Sequence, residues 1–126
     1  EPDEKRTHDQ AMAALRSGDF DKAATALSNF VQRYPASGYG DSARFWLGNA
    51  LYGLKNYKEA INVFRTLATN SPTHPRTPEA LLAVANCQIE MKDVRTARKT
   101  IDELVKAYPN SEAAAAAKER LSTLKG

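Results

Sequence analysis

Cysteine and histidine, which often serve as nucleophiles, general bases and metal ligands, are scarce in this chain. It has one cysteine, Cys87, and two histidines, His8 and His74, which stand in different parts of the sequence. Cys87 lies beside Ala83 in a small-residue position, which predicts a buried and inert thiol, and neither histidine has companion metal ligands. The sequence also offers no glycine-rich phosphate loop, no nucleophile–histidine pairing and no enclosed pair of acids. We therefore predict that the chain is not an enzyme and holds no metal or cofactor.

The elements that position the remaining candidates come from an internal repeat. The sequence superimposes on itself, without gaps, at a step of 37 residues. The step relates one position of each unit to the same position of the next: Phe20, Tyr57 and Val94; Ala23, Ala60 and Ala97; Pro35, Pro72 and Pro109. Repetition at a period of about 20–50 residues is typical of stacked-repeat architectures. We therefore predict an all-α fold built from repeated helical hairpins.

Apolar residues at helical spacing predict two helices in each unit. The predicted pairs are 5–17 with 20–34, 41–54 with 57–69, and 78–91 with 94–107, giving repeats over 5–35, 41–72 and 78–109. A last helix over 111–124 has no partner and is expected to cap the stack. Asn56 with Glu59 predicts a capping box, and Thr77 is expected to cap the helix that follows it. Together the units predict one domain over 1–126 with right-handed superhelical stacking.

Composition narrows the possible classes of partner. The 126 residues carry a net charge of +3, with 42% hydrophobic and 26% charged residues. Basic and acidic residues alternate along the helices, which favours a solvated face over a nucleic-acid surface. No apolar run approaches the roughly 18 residues of a membrane span, so we predict no membrane insertion. The chain opens Glu1-Pro2-Asp3 without Met, and we expect a longer precursor whose targeting sequence lies upstream.

The repeat resembles the tetratricopeptide repeat family. The residues that carry the likeness are Leu47, Gly48, Leu51, Tyr57, Ala60, Phe64, Leu67 and Pro72. The usual period of that family is about 34 residues, and here the additional residues fall in the loops after each proline. Arg44 stands where the family has a tryptophan, and Trp46 follows two places later.

Three segments resemble a more specific family, the C-terminal repeat domain of the cell division coordinators YbgF/CpoB. They are Arg33-Tyr34-Pro35-Ala36-Ser37, Ala107-Tyr108-Pro109-Asn110-Ser111, and the stretch from Phe45 to Tyr52. The resemblance implies a periplasmic protein of Gram-negative bacteria that binds TolA and works with a bifunctional penicillin-binding protein at the septum. It also implies a signal peptide and a trimerising coiled coil before the repeats. Outer-membrane assembly lipoproteins share the Tyr-Pro-x-Ser pattern, so an envelope scaffold of that type stays open, as does a self-association module.

The register of the tetratricopeptide repeat implies a partner-binding groove along the first helix of each hairpin. The candidate residues are Met12, Arg16, Phe45, Asn49, Tyr52, Leu82, Asn86 and Ile89. For Phe45, Leu82 and Ile89 the alternative is a place in the core, with the groove favoured for Phe45 and Tyr52. Asn49 and Asn86 are harder to explain as core, because a buried amide without partners costs about 1–3 kcal/mol. A clamp for a partner's terminal carboxylate is not expected, since His8, Phe45 and Leu82 stand where that clamp has lysines.

Overall fold

The computed structural model describes residues 2–124, and these residues form seven α-helices and no strand. The helices are α1 (Pro2–Arg16), α2 (Phe20–Arg33), α3 (Gly40–Gly53), α4 (Tyr57–Asn70), α5 (Thr77–Glu90), α6 (Val94–Ala107) and α7 (Glu112–Thr123). The all-α prediction is confirmed, and every predicted helix is present. The largest difference is at α1, which begins at Pro2 rather than at Lys5.

The chain divides into two compact units, Glu1–Val63 and Phe64–Gly126. We call them unit 1 and unit 2 and describe each by itself. The boundary falls within α4, between Val63 and Phe64. The assignment of residues 1–126 to one domain, the number of repeats and their superhelical stacking stay predictions, and residues 1, 125 and 126 of that range lie outside the described part.

Small residues allow the paired helices of each unit to approach closely. In unit 1, α1 packs on α2, and Ala11 and Ala23 are fully buried. In unit 2, α5 packs on α6, and Ala85 and Ala97 are fully buried. A larger side chain at such a contact would overpack it, at a cost of about 1–3 kcal/mol.

Short polar side chains begin three of the helices by accepting hydrogen bonds from free backbone amides. Asp19 accepts from the Lys22 amide at 3.1 Å, and Asp93 accepts from the Thr96 amide at 3.2 Å. Ser111 does the same at α7, where it accepts from the Ala114 amide at 3.0 Å. The predicted pair at α4 also meets, with Asn56 Nδ2 donating to Glu59 Oε2 at 2.7 Å.

Thr77 does not cap α5, and the sequence prediction for this residue was wrong. The capping position is Arg76, and Thr77 is the first residue inside the helix. Its side chain is fully buried, and its hydroxyl donates to the Ser71 carbonyl at 2.6 Å. A buried hydroxyl needs such a partner, and the loop before α5 supplies one, so Thr77 ties this loop to the helix.

The final helix covers apolar surface of unit 2, as predicted for a cap. Ala113, Ala114 and Ala117 of α7 are buried and join a core cluster with Leu81 and Leu104. The helix contacts both α5 and α6. The alanines permit this approach because they present little more than a methyl group to the neighbouring helices.

Candidate protein-binding surfaces

Five of the predicted groove residues lie on α1 and α3 of unit 1, and these two helices contact each other. Met12 is half-buried, and Arg16 is exposed. Tyr52 is half-buried, and its ring meets the ring of Tyr57 edge to face, with centroids 5.4 Å apart. Met12, Arg16, Asn49 and Tyr52 define what we call the unit 1 face.

Phe45, a predicted groove residue, is almost completely buried within unit 1. Only 5% of the residue is exposed, and its ring packs edge-on against Trp46 at 5.0 Å. The sequence interpretation that favoured the groove for Phe45 is at odds with this burial. The reason is that α3 buries residues on most of its circumference, so its apolar residues did not identify one exposed stripe.

The two predicted polar anchors differ in their hydrogen bonding. Asn49 Nδ2 donates to the Phe45 carbonyl one turn earlier in the same helix, at 2.8 Å. Asn86 is half-buried and makes no side-chain hydrogen bond to any residue that the structure describes. Since an amide carries two donor hydrogens and an acceptor oxygen, Asn86 keeps more bonding capacity for a partner than Asn49 does.

In unit 2, Leu82 lines a cleft between the beginnings of α5 and α7. The cleft has a volume of about 460 Å³ and is lined by Pro75, Pro78, Glu79, Leu82, Ser111, Glu112, Ala113 and Ala116. We call it the unit 2 cleft. Leu82 also packs against the core of this unit, so it serves both as core and as cleft wall. Ile89, two turns further along α5, is half-buried.

Both charged residues of the unit 2 cleft are acidic. Glu79 lies 3.5 Å from Arg76, a residue of the loop before α5. Glu112 forms no ion pair within the described residues and stands in the first turn of α7, where the helix dipole favours a negative charge. Prolines and alanines beside two carboxylates suit a basic segment that also carries apolar side chains.

Sequence reasoning missed the contribution of α7 to this cleft. A signal was present, because the step of 37 residues relates Glu79 to Ala116, and both residues line the cleft. The step does not show that α7 lies against the beginning of α5, which is a property of the packing.

Cys87 and His8 belong neither to the unit 1 face nor to the unit 2 cleft. Cys87 is fully buried, which confirms the predicted buried thiol, and burial raises its pKa to about 11, with the nearby Glu90 adding to the effect. His8 stacks on Tyr39 at 4.9 Å and meets Phe30 edge-on at 5.5 Å. Among residues 2–124, no group of His, Cys, Asp and Glu is arranged to hold a metal ion, and no helix is long and apolar enough to span a membrane.

Comparison with protein families identifies the chain. The family model described as YfiO, outer membrane lipoprotein, matches residues 1–126. The chain belongs to the YfiO family. The cell division coordinator CpoB of Pseudomonas putida is 42% identical to this YfiO-family chain over 45 residues, which is 36% of the chain and 17% of CpoB. The chain thus matches about one sixth of that curated relative, and the predicted likeness to a CpoB/YbgF repeat domain is confirmed for this stretch.

Solved structures confirm the tetratricopeptide fold. PcrH from Pseudomonas aeruginosa superimposes with a TM-score of 0.79 at 17% identity, covering 97% of this chain and 91% of PcrH. The TPR2B domain of yeast Sti1, from a TPR2B–pHsp70 complex, superimposes with a TM-score of 0.77 at 20% identity, covering 97% of this chain and 95% of that domain. The TPR domain of Arabidopsis OM64 superimposes with a TM-score of 0.76 at 13% identity, covering 94% of this chain and 93% of that domain. At these identities the likeness concerns the fold.

Proposed function

We propose that this chain is a non-catalytic protein-interaction domain of the bacterial cell envelope that acts in cell division. The observation that carries the proposal is the 42% identity to CpoB over 45 residues, in a chain with the tetratricopeptide fold. TolA, in the periplasm, is the proposed partner. A bifunctional penicillin-binding protein and trimerisation through an N-terminal coiled coil belong to the same proposal for the full-length protein.

The proposed contact surfaces are the unit 1 face and, in unit 2, the residues Leu82, Asn86 and Ile89 with the adjoining cleft. Half-buried Tyr52 and Leu82 offer apolar surface, and Asn86 offers an amide without a partner in the described chain. An apolar surface with few polar anchors is the usual form of a peptide- or helix-binding site. The acidic residues Glu79 and Glu112 favour a partner segment with basic side chains.

A calorimetric titration with a soluble periplasmic segment of TolA tests the partner and the residues together. We expect the wild-type chain to bind. Asn86→Ala should weaken binding by about three- to tenfold, because it removes hydrogen bonds to the partner and none within the described chain. The matched control is Gln32→Ala, which removes an exposed amide from α2 and should leave binding unchanged.

Tyr52 provides the second test, in unit 1. Tyr52→Ala should weaken binding by about tenfold or more, as expected of a central aromatic contact. Tyr52→Phe keeps the ring contact with Tyr57 and controls for loss of packing, so it should retain most of the affinity and the melting temperature. If Tyr52→Ala and Asn86→Ala both bind TolA as tightly as the wild-type chain does, TolA remains the partner and the proposed surfaces are refuted. If the wild-type chain does not bind the TolA segment, TolA is refuted as the partner.

The family match favours a second candidate, an outer-membrane assembly scaffold. The two functions differ in the defect that loss of the protein causes. Delayed constriction with intact outer-membrane proteins would support the division function. Depletion of folded outer-membrane proteins with normal septation would support the scaffold. Concentration-dependent sedimentation of this chain would instead support self-association.

A further inference from the structure

Unit 1 contains a cleft that the proposed contact surfaces do not use. It opens between α2, α3 and α4 and has a volume of about 370 Å³. Its lining includes Thr25, Ser28, Leu47, Leu51, Glu59 and Val63, and we call it the unit 1 cleft. Leu47 and Leu51 form an apolar floor and are only 6% and 7% exposed. The walls carry two hydroxyl groups and the Asn29 amide from α2, and one carboxylate from α4.

The internal repeat shows how unit 2 fills the equivalent place. The step of 37 residues carries Ser28 to Arg65 and Val63 to Thr100. Arg65 Nη1 donates to both carboxylate oxygens of Glu103, at 2.9 and 2.8 Å, and its Nη2 lies 3.4 Å from Thr100 Oγ1. Unit 2 thus places an arginine of its own between the second helices of two neighbouring hairpins.

Unit 1 lacks that arginine, and its cleft is bordered by a carboxylate at a different repeat position, Glu59, which corresponds to Thr96 rather than to Glu103. Ser28 is too short to fill the cleft. Glu59 forms no ion pair within the described chain, and its one side-chain hydrogen bond there is from Asn56 Nδ2 to Oε2. Arginine stems pack readily on apolar surface while the guanidinium stays at a polar group, and the leucine floor beside Glu59 provides both.

We propose that the unit 1 cleft receives an arginine side chain of a protein partner. The stem lies over Leu47 and Leu51, and the guanidinium bonds the Glu59 carboxylate and a hydroxyl of Thr25 or Ser28. Arginine fits better than lysine, because its planar guanidinium can bond a carboxylate and a hydroxyl through different nitrogens, as Arg65 does with Nη1 at Glu103 and Nη2 at Thr100. None of these residues belongs to the unit 1 face, so the site is independent of the proposed TolA contacts.

A nitrogen-15 NMR titration with a blocked Ala-Arg-Ala peptide tests the site on this chain. We expect saturable shifts at the amides of Ser28, Leu51 and Val63. The same peptide with citrulline, which is isosteric with arginine but uncharged, should produce much smaller shifts. Equal shifts with both peptides, or none at these amides, would overturn the proposal.

Two variants assign the binding to named side chains. Glu59→Gln should weaken binding by about two- to fivefold, the range of a partly exposed ion pair. Asp21→Asn makes the same change of charge on an exposed residue outside the cleft and should leave the affinity unchanged. If Asp21→Asn weakens peptide binding as much as Glu59→Gln does, the effect is one of overall charge, and the proposed site is overturned.

Exchanging the residues of the two units gives the sharpest test. Ser28→Arg should close the unit 1 cleft from within and abolish the shifts there. Arg65→Ser should open the equivalent place in unit 2 and produce new shifts at Gln88 and Thr100, next to Glu103. Melting temperatures identify any variant that fails to fold, and full binding by a folded Ser28→Arg chain would refute the proposal.

Discussion

The two units are alike in their interior and differ on their outer side. Ala23 and Ala97 occupy the same repeat position and are both fully buried. Ser28 and Arg65 also share a position, but Ser28 borders an open cleft, whereas Arg65 forms an ion pair in which its Nη1 bonds both carboxylate oxygens of Glu103. Positions where helices meet closely tolerate only small residues. Outer positions are free to change, so differences in binding between repeats arise there.

The largest expected effect concerns the shared interior. Phe30 in unit 1 and Leu104 in unit 2 stand two repeat steps apart, and both are fully buried. Phe30→Ala should lower the free energy of unfolding by about 3–5 kcal/mol, and Leu104→Ala by about 2–5 kcal/mol. Urea denaturation measures both. A loss below about 1 kcal/mol at either position would contradict the claim that both units depend on this site.

A buried polar pair in unit 2 replaces an apolar pair in unit 1. Thr100 Oγ1 donates to Gln88 Oε1 at 2.7 Å, whereas the equivalent residues of unit 1 are Val63 and Leu51. Thr100→Val should cost about 1–3 kcal/mol of unfolding free energy, because it leaves the buried Gln88 oxygen without its partner. The double variant with Gln88→Leu should recover most of the loss. If the double variant does not recover this stability, the two units differ in more than the side chains at these two positions.

The turn inside each hairpin uses a positive φ, but with different residues. Gly18 has φ +81° and no atom within 4 Å of an added Cβ, while Lys92, two repeat steps later, has φ +66°. Gly18→Ala should therefore cost only backbone strain, about 1–2 kcal/mol. Lys92→Gly should gain up to about 1 kcal/mol by relieving it. Thermal unfolding measures the change in stability for both variants. We expect Gly18→Ala to lower the melting temperature and Lys92→Gly to raise it.

The smallest effect concerns Arg65. Its partner Glu103 is about half exposed, so Arg65→Ser should cost only about 0.2–1 kcal/mol of unfolding free energy. High salt should reduce the difference, because mobile ions screen partly exposed charges. A loss of about 3 kcal/mol would instead show that the arginine is part of the unit 2 core, as a buried pair would be.

Helix α6 and helix α3 show how far sequence reasoning could go. The buried residues of α6 lie on one stripe, namely Ala97, Thr100, Ile101 and Leu104, and its predicted ends agree with the structure. Helix α3 buries seven of its residues, from Gly40 to Leu51, on most of its surface. A periodic pattern identifies a face only when the opposite face is polar. For that reason the helix could be predicted from the sequence, whereas the burial of Phe45 could not.

The sequence by itself determined the repeat period, the helices, the close contacts at alanine and the likeness to the tetratricopeptide family. These follow from local spacing, which a single chain displays directly. Only the tertiary structure decided that α7 completes a cleft with Leu82, that Arg65 reaches Glu103, and that the place beside Ser28 stays open. Each of these three features depends on contacts between helices that are distant in sequence. At such contacts the length of one side chain decides whether a space is filled.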